Sequence, residues 1–494
     1  MLEIRAGIRF TRSRKHLPST ATHPPASVPL RSYIQHQEGS QNKQADFNSC
    51  KMNRSTELEF LDLHPFVRQT ALDRVRGTIF GGALGDAIGL YTEFLSRDLC
   101  LAAYPEGKFQ LVEPATELHN DGHRNKFVQT GWTDDTDHAL LIMLSYLHSN
   151  GQSLDPSDLA HRLQFWCEQG LRCLDRPPLG LGRTVGRVVC DPSFREDAAA
   201  TAHRHWKNSN YTAAPNGSLM RTYPLGVICL GKKLDETFQI ATDFSRITHA
   251  DPRCIVSCCL ATVLIRGIVR SDVQNEKDID ALIESSLSWI QGYIIKQTHT
   301  QDAEEPSDNY PPFDSDEFYR HVRAETLEEL QLDDALKMGY VYKSLGAGIL
   351  LLRLALRRID SQGFLENLFE ELITSLVMQG GDADTNASVA GPLLGALFGF
   401  NMLPGKWKYG MMHAGWLFQK CNSLASVSGI YLPPSPYNGQ ADSDTGVEGG
   451  KPPLTKEELY QREREFVEQY FNKSQKRANE NKTYTGWVGK LLGK

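Results

Sequence analysis

The stretch Ala71–Phe94, ALDRVRGTIFGGALGDAIGLYTEF, decides how the chain is read. Wound as a helix, it brings Val75, Ile79, Gly82, Ala83 and Asp86 to one face, because residues three and four apart stack along a helix. Small residues on that face let a second backbone come close. From this segment to about residue 430, helical patterns recur and alternating strand patterns are scarce, so an all-α fold is expected. Further helices are predicted over Asp137–His148, Asp155–Gly170, Asp235–Ser245, Pro252–Val269, Asp278–Ile294, Ala324–Met338, Ser344–Arg358, Phe364–Met378 and Ala387–Phe400. Several start at a capping residue or a proline, as helix starts should.

The 494 residues are 40% hydrophobic and 23% charged, which is a globular composition. With 53 Lys and Arg against 60 Asp and Glu, the net charge is −7, and direct nucleic-acid binding by bulk electrostatics is not expected. The ten cysteines include no CxxC pair. Cys254, Cys258 and Cys259 fall in an apolar helical pattern, so they read as buried thiols in a reducing compartment. The uncharged run between Asp384 and Lys406 contains Ser388, Pro392, Asn401 and Pro404. It reads as a core helix, and no membrane association is expected.

Residues 1–56 mix Arg, Ser, Pro, His and Gln with little periodicity and are expected to be a disordered tail. Arg5, Arg9, Arg12, Arg14 and Lys15 stand against one acid, Glu3, in the first fifteen residues. That bias gives a mitochondrial targeting segment as the alternative to a cytoplasmic protein with a solvated tail. A catalytic body is expected over 57–432, with an acidic insertion near 271–338. Within it, Gln301–Glu317 carries Asp302, Glu304, Glu305, Asp308, Asp314, Asp316 and Glu317 without Lys or Arg, and reads as an exposed loop. Residues 433–494 read as a linker followed by a charged helix that starts at a Thr455/Glu458 capping box.

Chemistry concentrates in two acidic clusters, GWTDDTDHALL at Gly131–Leu141 and QGGDADTNASVAG at Gln379–Gly391. Carboxylates beside core helices are costly unless paired, hydrogen-bonded or bound to a cation. Thr133, Asp134 and Asp135 precede one helix, and Asp382, Asp384 and Thr385 precede another. Oxygen ligands without His or Cys select hard cations, with Mg²⁺ favoured and Mn²⁺ or Ca²⁺ as alternatives. Helix capping and dipole-favoured acids are the competing explanation. The joint occurrence of both clusters exceeds what capping requires.

Four weaker features accompany them. Glu93 follows Asp86 by seven residues and reads either as part of the same chemistry or as a solvated helix end. PPLGLGRTVGRVV offers Gly180, Gly182 and Gly186 for backbone contact with a phosphate, without the dinucleotide spacing. Asn216, Gly217 and Ser218 form an anion-binding or ordinary turn. His249, in SRITHADP, is a ligand contact or a helix cap.

Together, and in this order, GDAIGLYTEF, GWTDDTDHALL, LGLGRTVGRVV, PNGSLMR, SRITHADP and GGDADTNASVAG resemble the ADP-ribosylglycohydrolase family over about residues 70–420. The resemblance implies a compact orthogonal helical bundle with a central binuclear metal cleft. It implies two Mg²⁺ per chain, with Mn²⁺ as a substitute, held by Thr133, Asp134, Asp135, Asp382, Asp384 and Thr385. Glu93 matches the catalytic glutamate. Gly180, Gly182, Asn216, Gly217, Ser218 and His249 match positions near ADP-ribose. The implied partner is an ADP-ribosylated protein or an ADP-ribose-containing small molecule, and the implied reaction is hydrolysis of an N- or O-glycosidic bond by metal-activated water. Two rivals remain: a catalytically silent ADP-ribose-binding or structural protein, and a metal-dependent nucleotide phosphohydrolase.

Overall fold

The computed structural model describes residues 56–300, 311–363, 365–433 and 435–491. The helices that build and frame the site are α1 (Pro65–Gly89), α2 (Asp134–His148), α3 (Leu234–Arg246), α4 (Pro252–Arg270), α5 (Glu276–Thr300), α6 (Ser315–Val322), α7 (Val341–Gln362), α8 (Ala383–Phe398) and α9 (Lys456–Leu491). Among the described residues there is no strand, only the isolated bridges Leu171–Arg176 and Pro215–Tyr340. The expected all-α fold is the one present.

Its centre is the antiparallel contact of α1 with α8. A Cβ on Gly77 would stand 2.2 Å from the Gly395 carbonyl oxygen, one on Gly81 2.2 Å from that of Gly391, and one on Gly85 2.0 Å from that of Ala387. At Gly89 it would stand 2.3 Å from the Asp384 Cα. Steps of four residues along α1, matched on α8 from Gly395 to Ala387 and by three residues from there to Asp384, make a seam where backbones touch directly, a distance that only hydrogen on the Cα allows. The seam sets the register of Asp86 against Asp384. Helix α7 covers the other side of α8, with Gly348 facing Val389 and Leu393.

Helix α4 is long and apolar enough to cross a membrane by length and composition, and 94% of that window is buried inside the protein. Cys254, Cys258 and Cys259 lie on it and are fully buried. It is a core helix, as is α8.

Several boundaries differ from the sequence reading. Ala324–Met338 is not a helix: it holds one short 3-10 turn, Glu328–Leu330, and then Gln331 takes a left-handed conformation at φ 47°. Its leucines stand at helical spacing in the sequence, yet the buried pair is Leu330 and Leu332, two residues apart, and Leu336 stays exposed. The helix of this region is α6, capped by the Asp314 carboxylate on the Glu317 N–H at 2.8 Å, with Phe318 fully buried. So the Gln301–Glu317 stretch is helical at its end, while its residues 301–310, like the 1–55 tail, lie outside the described residues. The insertion is packed into the body: Ile279, Ile283 and Ile290 of α5 are buried, and Glu276 and Asp280 pair with Arg353 of α7.

The stretch after residue 433 also packs, against the reading as a linker. Lys420, which is buried, pairs with Asp442 at 2.6 Å and Asp444 at 2.9 Å, and Arg162 donates to the Thr445 carbonyl at 2.9 Å. The Thr455/Glu458 capping box is present at 2.8 and 3.2 Å and opens α9.

Candidate functional site

Two helix N-termini and one tight loop bring the acidic clusters together. Gly380 and Gly381 take φ 72° and 68°, a region that favours glycine, and so turn the chain into Asp382, the residue before α8. The Phe94 N–H donates to the Gly381 carbonyl at 2.6 Å and the Gly381 N–H to the Leu95 carbonyl at 2.9 Å. This exchange places Glu93 beside α8. One carboxylate oxygen each from Glu93, Asp382 and Asp384 lies within 4.8 Å of the others. Glu93 is 5% exposed; it is not a solvated helix end.

Helix α2 brings the second cluster. Its N-cap Thr133 donates its hydroxyl to Asp384 at 3.3 Å, which joins the clusters directly. Asp86, on the buried face of α1, accepts from the Thr133 N–H at 2.8 Å, the Thr136 N–H at 2.9 Å and the Thr136 hydroxyl at 2.6 Å. It caps α2 from outside and aims Asp134 and Asp135 at α8. Asp86 was not among the expected site residues, although a carboxylate on an apolar helical face was a signal for it.

On the far wall, the bridge between Pro215 and Tyr340 sets Asn216, whose amide donates to Asp382 at 2.9 Å and to Ser344 at 3.0 Å. Gly180 takes φ 95°, and a Cβ there would stand 2.1 Å from the Asp134 carboxylate. Gly182 faces open space, and Gly217 lies against the His249 ring. Ser218 departs from expectation: its hydroxyl is buried between helices, accepting from Ser245 at 3.0 Å and Cys258 at 3.4 Å, and it does not line the cleft. Thr133 is buried at the edge of the cleft, with its hydroxyl against the Asp384 carboxylate. The remaining expected residues, Glu93, Asp134, Asp135, Gly180, Gly182, Asn216, Gly217, His249, Asp382, Asp384 and Thr385, line a cleft of about 200 Å³, joined by Phe94, Arg183, Thr184 and Met220.

The electrostatics are those of a cation site. Burial pushes the Asp86 carboxyl up to about 6 against its hydrogen bonds. Burial, with Glu93 nearby, pushes Asp382 up to about 6. Asp134, Asp135 and Asp384 are raised well above the usual range by burial and by the neighbouring carboxylates. Like charges this close disfavour ionisation of the set. Asp135 Oδ2 is buried and makes no hydrogen bond, a state that costs free energy unless another ligand is supplied. The donors are all oxygens. The residues therefore fit a hard metal ion, and the positive ends of α2 and α8 point at the same place.

His249 supplies a donor instead. Arg221 donates to the Thr248 hydroxyl at 2.7 Å, which leaves that hydroxyl's proton for His249 Nδ1 at 2.8 Å. The ring proton then sits on Nε2, which has no partner in the protein. Burial pushes the His249 pKa down to about 3, so the ring is neutral and presents one N–H to the cleft.

This combination defines an all-α protein whose buried carboxylate cleft can hold metal. The pattern described as ADP-ribosylglycohydrolase matches residues 67–431, and the chain belongs to that family of glycosidic-bond hydrolases. It is 25% identical to ADP-ribosylarginine hydrolase Tri1 of Serratia proteamaculans (strain 568) over 72% of this chain and 80% of that protein. It is 24% identical to ADP-ribosylhydrolase ARH3 of Bos taurus over 68% of this chain and 88% of that one. Similarity to ADP-ribosyl-[dinitrogen reductase] glycohydrolase of Rhodospirillum rubrum is 22% identity over 72% and 97%.

Proposed function

We propose that the protein is a Mg²⁺-dependent hydrolase that releases ADP-ribose from an N- or O-glycosidic bond to a protein side chain or small molecule. The observation that carries this reading is the junction of the two acidic clusters around Glu93 in one cleft, with Asp135 Oδ2 left unpartnered. Thr133, Asp134, Asp135, Asp382, Asp384 and Thr385 would hold two Mg²⁺, or Mn²⁺ in their place. Bound cations of this kind lower the pKa of water and fix vicinal hydroxyls beside the reacting carbon.

The chain's own residues do the rest. Glu93 accepts a proton from the attacking water or passes one to the leaving group. The surrounding carboxylates stabilise the oxocarbenium-like charge of the transition state. Asn216 keeps the Asp382 carboxylate turned toward the cleft. His249 Nε2–H and the glycine loop at Gly180 and Gly182 suit an anionic diphosphate. Because the His249 ring is neutral, it donates to a phosphate oxygen without adding a cation beside the metal site.

The name of the Serratia relative puts arginine-linked ADP-ribose first among substrates to try, and serine- and acetyl-linked forms are the chemical alternatives. Incubation with each, with and without Mg²⁺, should give free ADP-ribose from at least one and only with metal. AMP as the product would refute the reading in favour of a phosphohydrolase. We place the protein in the cytoplasm on the cysteine usage of its sequence, with the mitochondrion as the alternative offered by the basic N-terminal segment.

A further inference from the structure

Helix α9 lies beyond the family-matched residues 67–431, yet it touches the loop that reaches Glu93. Between Tyr104 and Thr133 that loop contains one short 3-10 turn, Arg124–Lys126, so tertiary contacts must set its course. Arg124 is buried and ties the loop to the turn after α1: its Nε donates to the Tyr91 carbonyl at 2.9 Å, and its Nη2 donates to the Glu93 carbonyl. The neighbouring His123 Nε2 meets Glu93 Oε2 at 2.6 Å. The His123 ring packs between Phe94 and Phe127, with centroids 4.9 and 5.3 Å away.

Helix α9 holds this loop from outside. Lys473 Nζ donates to the Phe127 carbonyl at 2.9 Å, and Asn125 donates to the Ser474 hydroxyl at 3.3 Å. Gly122 lies so near α9 that a Cβ on it would be 3.3 Å from the Tyr470 hydroxyl. At the base of the helix, Arg462 donates to the Gln169 and Glu168 carbonyls at 2.7 and 3.0 Å. A chain of contacts thus runs from α9 through Phe127 and His123 to the Glu93 carboxylate.

We propose that His123 is a positioning residue for Glu93 and that α9 acts on the site by holding the His123 loop in place. This rests on the reading of Glu93 as the acid–base group. The terminal torsion of a glutamate is soft, so a partner at 2.6 Å decides which oxygen is tied back and which faces the cleft. The helix is separate from the metal site and alters the orientation of Glu93 without altering the ligands. A displacement of about 1 Å at such a group costs roughly 10²-fold in rate.

The test uses the full chain and whichever ADP-ribosylated substrate it turns over fastest. His123→Ala should lower kcat roughly 10- to 100-fold, with KM and the Mg²⁺-induced rise in Tm kept. His123→Gln, whose amide can donate to the same oxygen, should recover most of the loss. The surface pair Tyr470→Ala/Lys473→Ala should lower kcat in the same sense and add nothing in the His123→Ala background, as expected for one pathway. Unchanged or raised kcat in His123→Ala, or a loss in the α9 pair that simply multiplies that of His123→Ala, would overturn the proposal. Glu93→Gln run alongside separates the two readings. If it turns over at the parent rate, the role of Glu93 fails; if it is slow and His123→Ala is not, only the positioning role fails.

Discussion

Replacing Gly85 by alanine tests whether the α1/α8 seam sets the metal site. The added Cβ would stand 2.0 Å from the Ala387 carbonyl oxygen, whereas a comfortable C···O contact begins near about 3.3 Å. The helices must part locally by about 1.3 Å. Residue 85 adjoins Asp86, which aims α2, and the opposing backbone lies three residues beyond Asp384. Metal–oxygen distances near about 2.1 Å tolerate deviations of only about 0.2 Å, so a separation of this size breaks the ligand set. Overpacking of this kind costs about 1–3 kcal/mol. Gly77→Ala is the control: it meets the Gly395 carbonyl at 2.2 Å but lies about 12 Å along the helix, at about 1.5 Å per residue. Both variants should melt lower than the parent in chelator. On addition of Mg²⁺, Gly77→Ala should keep the parent's rise in Tm, while Gly85→Ala should lose it together with about 10²-fold or more of kcat. An equal metal response in the two variants would refute the claim that the seam carries the ligand geometry.

Glu93→Gln should keep the Mg²⁺-induced rise in Tm and lose about 10² to 10⁴ in rate; parent-like turnover would make Glu93 structural. Asp384→Asn removes one of the crowded carboxylates, so in chelator its Tm should match or exceed the parent's, and its metal-induced shift should vanish. A carboxyl raised in the fold gives stability that is full below its unfolded value, near 3.8, and is lost as pH rises through the folded one, about 6 for Asp86 and Asp382, with Asp134, Asp135 and Asp384 shifted in the same direction by burial and neighbouring carboxylates. Metal-free protein should therefore melt lower at pH 7.5 than at pH 5.5, and Mg²⁺ should abolish the difference; a higher Tm at pH 7.5 in chelator would contradict the assignment. Ending the chain at Leu432 should cost about 3–5 kcal/mol, because it strips Asp442 and Asp444 from buried Lys420, and a parent-like melt of that chain would show the segment to be a spacer.

The α1 and α8 helices were legible because their apolar and small residues recur at helical spacing, and the ligand-bearing turns because Asp, Thr and Gly cluster immediately before such runs. Three things were not legible, each for its own reason. Ala324–Met338 carries leucines at helical spacing, yet Gln331 at φ 47° breaks the segment, and no glycine or asparagine announced that conformation. Ser218 sits in a turn whose neighbours line the cleft, but which way its hydroxyl points depends on Ser245 and Cys258, 27 and 40 residues away. Residues 435–455 look like a spacer by composition, and only the location of Lys420 and Arg162 in space shows that their acids and carbonyls are needed. Local pattern reports periodicity and capping; it does not report which distant partner satisfies a polar group.

The carboxylate cluster is a liability that the rest of the fold is arranged to contain. Folding alone drives Asp86, Asp134, Asp135, Asp382 and Asp384 into one buried region, and each is raised above its ordinary range as a result. Fixed dipoles offset part of this: the N-termini of α2 and α8 converge there, Asn216 donates to Asp382, and Thr133 donates to Asp384. None of these donors carries a full charge, so they hold the geometry without neutralising it. A lysine in the same place would do so and would occupy the site permanently. Two buried cationic side chains near the site are kept off the ligands: Arg124 is turned onto the Tyr91 and Glu93 carbonyls, and Arg221 onto Phe244 and Thr248. The electrostatic cost is thus carried by the close-packed seam and left for a cation to relieve, which is why binding of metal and stability of the fold should rise together.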